Sequence, residues 1–136
     1  EALKAAALSG VDVRVICTPR GAKYQVPYRA ANTYFQEMAE AGVRIYLYRG
    51  GYYHAKAISI DGAICTIGSC NMDVRSYSVN YELNAVIYDA GKAQELEADF
   101  RRDLENCSEF DLAEYRRRSV WSRFYDSLCR LTSPLL

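Results

Sequence analysis

One stretch of this 136-residue chain concentrates side chains that are suited to phosphoryl chemistry. His54 and Lys56 are two residues apart, and a strand projects such a pair from one face. A turn at Gly68 would bring Ser69 and Asn71 to the level of His54, with a hydroxyl, an amide and backbone N–H groups. A nucleophilic imidazole, a fixed cation and neutral donors can together transfer a phosphoryl group without a metal. The stretch predicts a phosphate cradle in which Lys56, Ser69 and Asn71 are the binding residues.

A histidine nucleophile needs an acceptor on its second ring nitrogen, which fixes the tautomer. Glu82, in the predicted strand Tyr81–Tyr88, is the candidate for this role toward His54. The alternative is a structural ion pair between Glu82 and Arg75, which is close in sequence.

The hairpin that positions the cradle is predicted from Asp61-Gly62, a strong turn signal between two apolar runs. We expect His54–Ile60 to pair antiparallel with Ala63–Ile67. Such pairing returns the chain to the level of His54, which is where the cradle needs its polar turn.

The other apolar patterns predict a mixed α/β fold, with one mixed β-sheet flanked by α-helices in a single domain, 1–136. Pro19, Arg20 and Gly21 should end the first strand, and Tyr24 to Tyr28 is irregular. The opening helix has no start signal, which suggests a piece of a longer chain. Strands are predicted at Val11–Cys17 and Val43–Tyr48, helices at Glu1–Ser9, Ala30–Ala41 and Lys92–Leu104, and a basic helical region after them.

Composition excludes several classes of protein. Lys plus Arg and Asp plus Glu number 17 each, so a generally basic nucleic-acid binder is not expected. No apolar run reaches the roughly 18 residues of a membrane-spanning helix, so we expect this chain to be soluble or peripheral. Five cysteines without a C-x-x-C pair predict reduced thiols of a cytoplasmic type, and a single histidine argues against a metal site.

The spacing of six residues resembles the HKD motif of the phospholipase D superfamily without a gap or substitution. The six span 18 positions: His54, Lys56, Asp61, Gly68, Ser69 and Asn71. The flanking sequence is most similar to the C-terminal half of bacterial cardiolipin synthases. The segments that carry this similarity are 10–14, 41–46, 71–76, 80–82 and 133–136.

The resemblance implies a phospholipase D-like domain that transfers a phosphatidyl group between two phosphatidylglycerol molecules, without a cofactor, through a phosphatidyl-histidine. It implies a catalytic set of His54, Lys56, Asp61 and Glu82, in which Asp61 is generally structural. The family's mechanism uses two histidines, whereas this chain contains only one. We therefore expect a second HKD half, from the same full-length chain or a second subunit, and a full-length protein at the bacterial cell membrane.

Two other functions stay open. The first is a single-motif nuclease or phosphodiesterase that completes its site as a homodimer. The second is a non-catalytic fragment that binds anionic lipid. Residues 116–118, all arginine, are expected on a solvated helix face, and the alternative is contact with lipid headgroups beside Trp121 and Phe124.

Overall fold

The computed structural model describes residues 1–18 and 25–135. The predicted mixed α/β class is confirmed, but two three-stranded sheets replace the expected single sheet. The chain divides into two compact units: unit 1 is Glu1–Tyr53 with Cys107–Leu136, and unit 2 is His54–Asn106. The predicted strand end at Pro19–Gly21 lies outside the described residues.

The elements follow in chain order. They are α1 (Ala2–Leu8), β1 (Arg14–Cys17), α2 (Gln25–Glu40), β2 (Arg44–Tyr48), β3 (Ala57–Ile60), β4 (Ile64–Gly68), α3 (Val74–Ser78), β5 (Asn84–Ile87), α4 (Ala90–Leu104), β6 (Cys107–Glu109), α5 (Leu112–Arg117), α6 (Val120–Arg130) and a final 3₁₀ turn (Ser133–Leu135).

Unit 1 is built on the sheet β1-β2-β6. β1 runs parallel to β2, as a β-α-β crossover requires, and β6 is antiparallel to β2. Phe35 from α2 packs on Val43 and Ile45 to form the buried core. Phe110, directly after β6, stacks edge-on against Phe35 with ring centroids 5.7 Å apart. The last part of the chain thereby closes the core of this unit.

Unit 2 is built on the antiparallel sheet β3-β4-β5. The predicted hairpin is present, and both Asp61 (φ 53°) and Gly62 (φ 59°) adopt the left-handed conformation that its turn requires. α4 covers one face of this sheet, where the Ser59 hydroxyl donates to the Ala93 carbonyl over 3.3 Å. The small side chains of Cys65 and Ala93 are both buried on this side.

Two elements were not predicted from the sequence. β6 has the sequence Cys-Ser-Glu, which shows no apolar alternation and contains no β-branched residue, so the sequence does not predict a strand there. α3 is a five-residue helix in a polar stretch, and it begins where the Asp73 carboxylate accepts from the Ser76 N–H over 2.7 Å. Both depend on a pairing partner or a cap rather than on hydrophobic periodicity.

A buried carboxylate fixes α6 to the rest of unit 1. Asp126 is 0% exposed and pairs with Arg29 at 3.0 Å and Arg118 at 2.8 Å. Asn32 and the Tyr115 hydroxyl also donate to it, over 3.3 and 3.4 Å. The expectation that residues 116–118 form a solvated face is therefore wrong for Arg118, whose guanidinium pairs with the buried Asp126 carboxylate.

Asp126→Ala should lower the free energy of unfolding by about 3 kcal/mol, because it leaves two largely buried guanidinium groups without their counter-charge. Urea denaturation measures this. The matched control is Asp12→Ala, which removes an exposed carboxylate that also pairs with two arginines, Arg14 and Arg44. Its cost should be much smaller, because solvent screens an exposed ion pair. Equal losses in the two variants would contradict the assignment.

Candidate active site

His54 and Lys56 lie immediately before β3 rather than within it. The Gly68 N–H donates to the Lys56 carbonyl over 3.1 Å, so Lys56 still faces the end of β4. The Lys56 ammonium donates to the His54 carbonyl over 3.2 Å. His54 is exposed and Lys56 is half-buried. The cation is thus held beside the histidine backbone at the edge of unit 2.

Gly68 is required by the close approach of Asn84, which is its partner in β5. A Cβ atom at Gly68 would lie 1.8 Å from Asn84 Oδ1 and 2.3 Å from the Leu83 carbonyl oxygen. Asn84 Oδ1 accepts instead from the Cys70 N–H over 3.3 Å. Asn84 is a site residue that the sequence reasoning missed, although it continues the alternation Asn80, Glu82, Asn84 on the approach to β5.

The turn after Gly68 uses its own backbone donors. The Ser69 N–H donates to the Leu83 carbonyl over 3.0 Å, and the Asn71 N–H donates to the Ser76 hydroxyl over 3.2 Å. The Cys70 N–H is occupied by Asn84 Oδ1. The expected backbone N–H donors of the phosphate cradle are therefore committed internally. Side chains must supply the contacts to a phosphate.

Glu82 is the centre of a hydrogen-bond network beneath this turn. Its carboxylate accepts from the Ser69 hydroxyl over 2.5 Å, from the Ser76 hydroxyl over 2.9 Å and from Asn80 Nδ2 over 3.3 Å. These donors hold the pKa of Glu82 below its ordinary value of 4.5, with the Ser69 bond as the largest cause and the charge of Lys56 as a smaller one. The carboxylate therefore stays ionised at neutral pH.

The Ser69 hydroxyl is used twice, since it also accepts from the Leu83 N–H over 3.0 Å. This arrangement favours a positioning role for Ser69, while its predicted phosphate contact stays a prediction. The Asn71 side-chain amide forms no hydrogen bond with another described residue. The predicted phosphate contacts of Lys56 and Asn71 stay predictions as well. The orienting role of Glu82 toward His54 also stays a prediction.

Asp61 stands apart from these groups. It occupies the hairpin turn at the end of β3 opposite to His54. Its positive φ is one that Asp tolerates better than most residues. The turn conformation explains why Asp61 stands at this position, which fits the structural role expected for it.

The sheet face that carries Lys56 also carries apolar side chains. Alternation along β3 and pairing across β4 place Ile58, Ile60 and Val86 on this face, and each is close to half exposed. α4 covers the other face. A polar end and an apolar surface thus adjoin on the same side of unit 2.

In residues 1–18 and 25–135, no helix is both long and apolar enough to cross a membrane. The same residues contain no cluster of three or more His, Cys, Asp or Glu side chains that could hold a metal ion. All five cysteines are free, and burial raises the pKa of Cys17 to about 12. The predicted reduced state of the thiols stays a prediction.

Ser69→Ala should raise the pKa of Glu82 toward its ordinary value, because it removes the hydrogen bond that lowers it most. Glu82 stabilises the fold above its unfolded pKa, and this contribution is lost as the pH falls through the lower, folded pKa. In the variant this contribution should be smaller, and its loss should be complete at a higher pH. Carboxyl ¹³C NMR titration measures the shift.

The control is Asn80→Ala, which removes a weaker donor to the same carboxylate. It should raise the pKa of Glu82 less than Ser69→Ala does. An unchanged titration in the Ser69 variant would refute the network.

Comparison with known proteins identifies the family of this site. The family described as "Cardiolipin synthase, PLD-like domain" matches residues 1–104. The chain is 43% identical over 136 residues to a cardiolipin synthase of Clostridium perfringens strain SM101, covering 100% of this chain and 28% of the relative. A cardiolipin synthase of Halalkalibacterium halodurans is 43% identical over 135 residues, covering 99% of this chain and 27% of the relative.

The fold is similar to that of a solved phospholipase D family member, Nuc from Salmonella typhimurium. The TM-score is 0.68 at 22% identity, over 80% of this chain and 70% of that one. The chain spans less than a third of the length of the curated relatives named above. On the sequence match, the chain belongs to the cardiolipin synthase family of phospholipase D-like domains.

Proposed function

We propose that this chain supplies one of two HKD motifs to an enzyme that makes cardiolipin and glycerol from two phosphatidylglycerol molecules. The observation that carries the proposal is the position of the Lys56 ammonium next to His54, beside the Ser69–Asn71 turn. The names of its relatives, cardiolipin synthases, support the choice of cardiolipin as the product.

In the first step, one histidine attacks the phosphorus of a phosphatidylglycerol. A P–N bond forms, the bond from phosphorus to the headgroup glycerol oxygen breaks, and the other histidine gives that oxygen a proton. Glycerol leaves, and a phosphatidyl-histidine remains. Lys56 and Asn71 would hold the non-bridging oxygens, where negative charge is concentrated in the transition state.

In the second step, the histidine that lost its proton acts as a base. It takes the proton from a headgroup hydroxyl of a second phosphatidylglycerol, the hydroxyl oxygen forms a bond to phosphorus, and the P–N bond breaks. Cardiolipin forms and both histidines return to their starting states. His54 fills one of these two roles, and its partner fills the other.

The second histidine must come from outside this chain, which contains only His54. We propose that the missing half belongs to the same full-length protein, at a bacterial cell membrane, and that it covers the apolar face around Ile58 and Val86. The large part of each relative that the chain does not span has room for such a half.

A second candidate is a phosphodiesterase formed by two copies of this chain. The single histidine favours it, since a twofold axis would bring two His54 side chains together. Sedimentation of the chain alone, with hydrolysis assays on phospholipid and DNA, distinguishes the two. A dimer that hydrolyses either substrate, and loses activity in His54→Ala, would replace the leading proposal.

The decisive test is a chimera in which this chain replaces the matching segment of the Clostridium perfringens cardiolipin synthase. The chimera should convert labelled phosphatidylglycerol to cardiolipin, and His54→Ala should reduce the rate by about 10³-fold or more. Mapping a trapped phosphatidyl label by mass spectrometry would show whether His54 is the nucleophile.

The matched control is Asp61→Asn, which keeps a residue that tolerates the left-handed turn. It should retain transfer within about threefold, because Asp61 lies far from the reacting groups. Transfer that survives His54→Ala, or is abolished by Asp61→Asn with the fold intact, would contradict the proposal.

A further inference from the structure

Helix α6 faces its apolar side to solvent. Trp121 is 81% exposed, Val120 is 79% exposed and Leu131, just after the helix, is 76% exposed. Phe124, Tyr125 and Leu128 are exposed on the same side, at the i, i+3 and i+4 spacing of one helical face. The buried residues of the helix are Asp126 and Cys129. This is the reverse of the usual orientation of an amphipathic helix.

The buried ion pairs of Asp126, on the polar side of α6, fix this orientation. The Asp126 carboxylate is held by Arg29 and Arg118, and turning the helix to bury Trp121 would leave both arginines without it. The Arg118 guanidinium also donates to the Ser122 hydroxyl over 2.6 Å. Because breaking such a buried network is costly, the apolar side cannot turn inward. It requires cover from outside unit 1.

The exposed surface has the composition of a membrane-interface helix. Trp121 and Phe124 pack edge to face with ring centroids 6.3 Å apart. Trp and Tyr side chains combine an apolar ring with a polar atom, which suits the headgroup boundary of a bilayer. Six large exposed side chains share this face, and apolar patches on a protein surface often mark interaction sites.

Arginines border both edges of this apolar strip. On one edge, the Arg29 guanidinium lies 4.8 Å from the centre of the Tyr125 ring. On the other, Arg123 lines a groove of about 410 Å³ together with Val120 and Phe124. Asp126 neutralises Arg29, so Arg123 is the edge cation that has no ion pair with another described residue and can contact an anionic lipid surface.

Three acidic groups on α2 and α6 are paired, whereas Glu114 on α5 is exposed. Glu37 and Glu40, on α2, form ion pairs with Arg130 and Arg116. Asp126 is paired as described above, and Glu114 lies in the first turn of α5. Arg117 and Arg123 have no ion pair with any other described residue, which leaves positive charge at the surface.

We propose that the outward face of α6 binds the interface of a bilayer that contains anionic phospholipid. This surface extends the proposed function, because a phosphatidyl donor resides in such a bilayer. A symmetric pairing of two copies through the same face would instead bring Arg123, which lies beside Val120 and Phe124, close to its equivalent. That like-charge contact makes a second copy the poorer occupant.

Trp121 is the only tryptophan of the chain, so its fluorescence reports directly on this face. Adding phosphatidylglycerol vesicles should shift its emission to shorter wavelength and protect it from acrylamide quenching. Phosphatidylcholine vesicles should have a much weaker effect. The double variant Phe124→Ser with Leu131→Ser should weaken vesicle binding at least about tenfold, because it removes two large apolar side chains.

The matched control is Leu8→Ser with Val11→Ser, two exposed apolar residues of unit 1 outside α6. It should bind vesicles like the original chain, as should His54→Ala, which separates this proposal from the proposed chemistry. No change in Trp121 emission, or equal binding to both lipids, would overturn the proposal. Protection of Trp121 by dimerisation without lipid would also overturn it, and assign the face to a second copy.

Discussion

The row formed by Lys56, Gly68 and Asn84 across the sheet of unit 2 is the constraint on which the candidate site depends. Backbone pairing brings these three residues together from the approach to β3, the end of β4 and the start of β5. A slip of one residue would turn Lys56 to the side covered by α4 and separate it from the turn. Any side chain at Gly68 would occupy the space of the Asn84 amide. The glycine of the motif is therefore explained by the register of the sheet.

The Glu82 network stabilises the Ser69–Asn71 turn, whose backbone N–H groups are already hydrogen-bonded within the protein. The ionised Glu82 carboxylate accepts hydrogen bonds from the hydroxyls of Ser69 and Ser76. The Ser76 hydroxyl in turn accepts a hydrogen bond from the Asn71 N–H. The turn is thus held from beneath by a negative charge. A phosphate bound here, as we propose, would rely on the cationic Lys56 and on amide side chains, because phosphate and Glu82 carry charges of the same sign.

The polar network of unit 2 lies at the surface, whereas that of unit 1 lies in the interior. Unit 2 keeps its polar network at an exposed edge, where solvent reduces its cost. Unit 1 buries Asp126 completely and compensates it with two arginines and two neutral donors. Because Asp126 lies in the interior, the polar side of α6 faces inward and its aromatic side faces solvent. The apolar surface is a direct consequence of the buried charge.

The sequence by itself determined the mixed α/β class, the hairpin at Asp61-Gly62, helix α4 and the residues of the motif, because each is encoded by spacing or periodicity over a short distance. It did not determine strand β6, whose three residues become a strand only by pairing with β2. The tertiary structure also decided the partners of Glu82 and the orientation of α6. Helical periodicity identifies an amphipathic helix, but which side is buried depends on Arg29, 97 residues away from Asp126. Such long-range pairing leaves no local signal in the sequence.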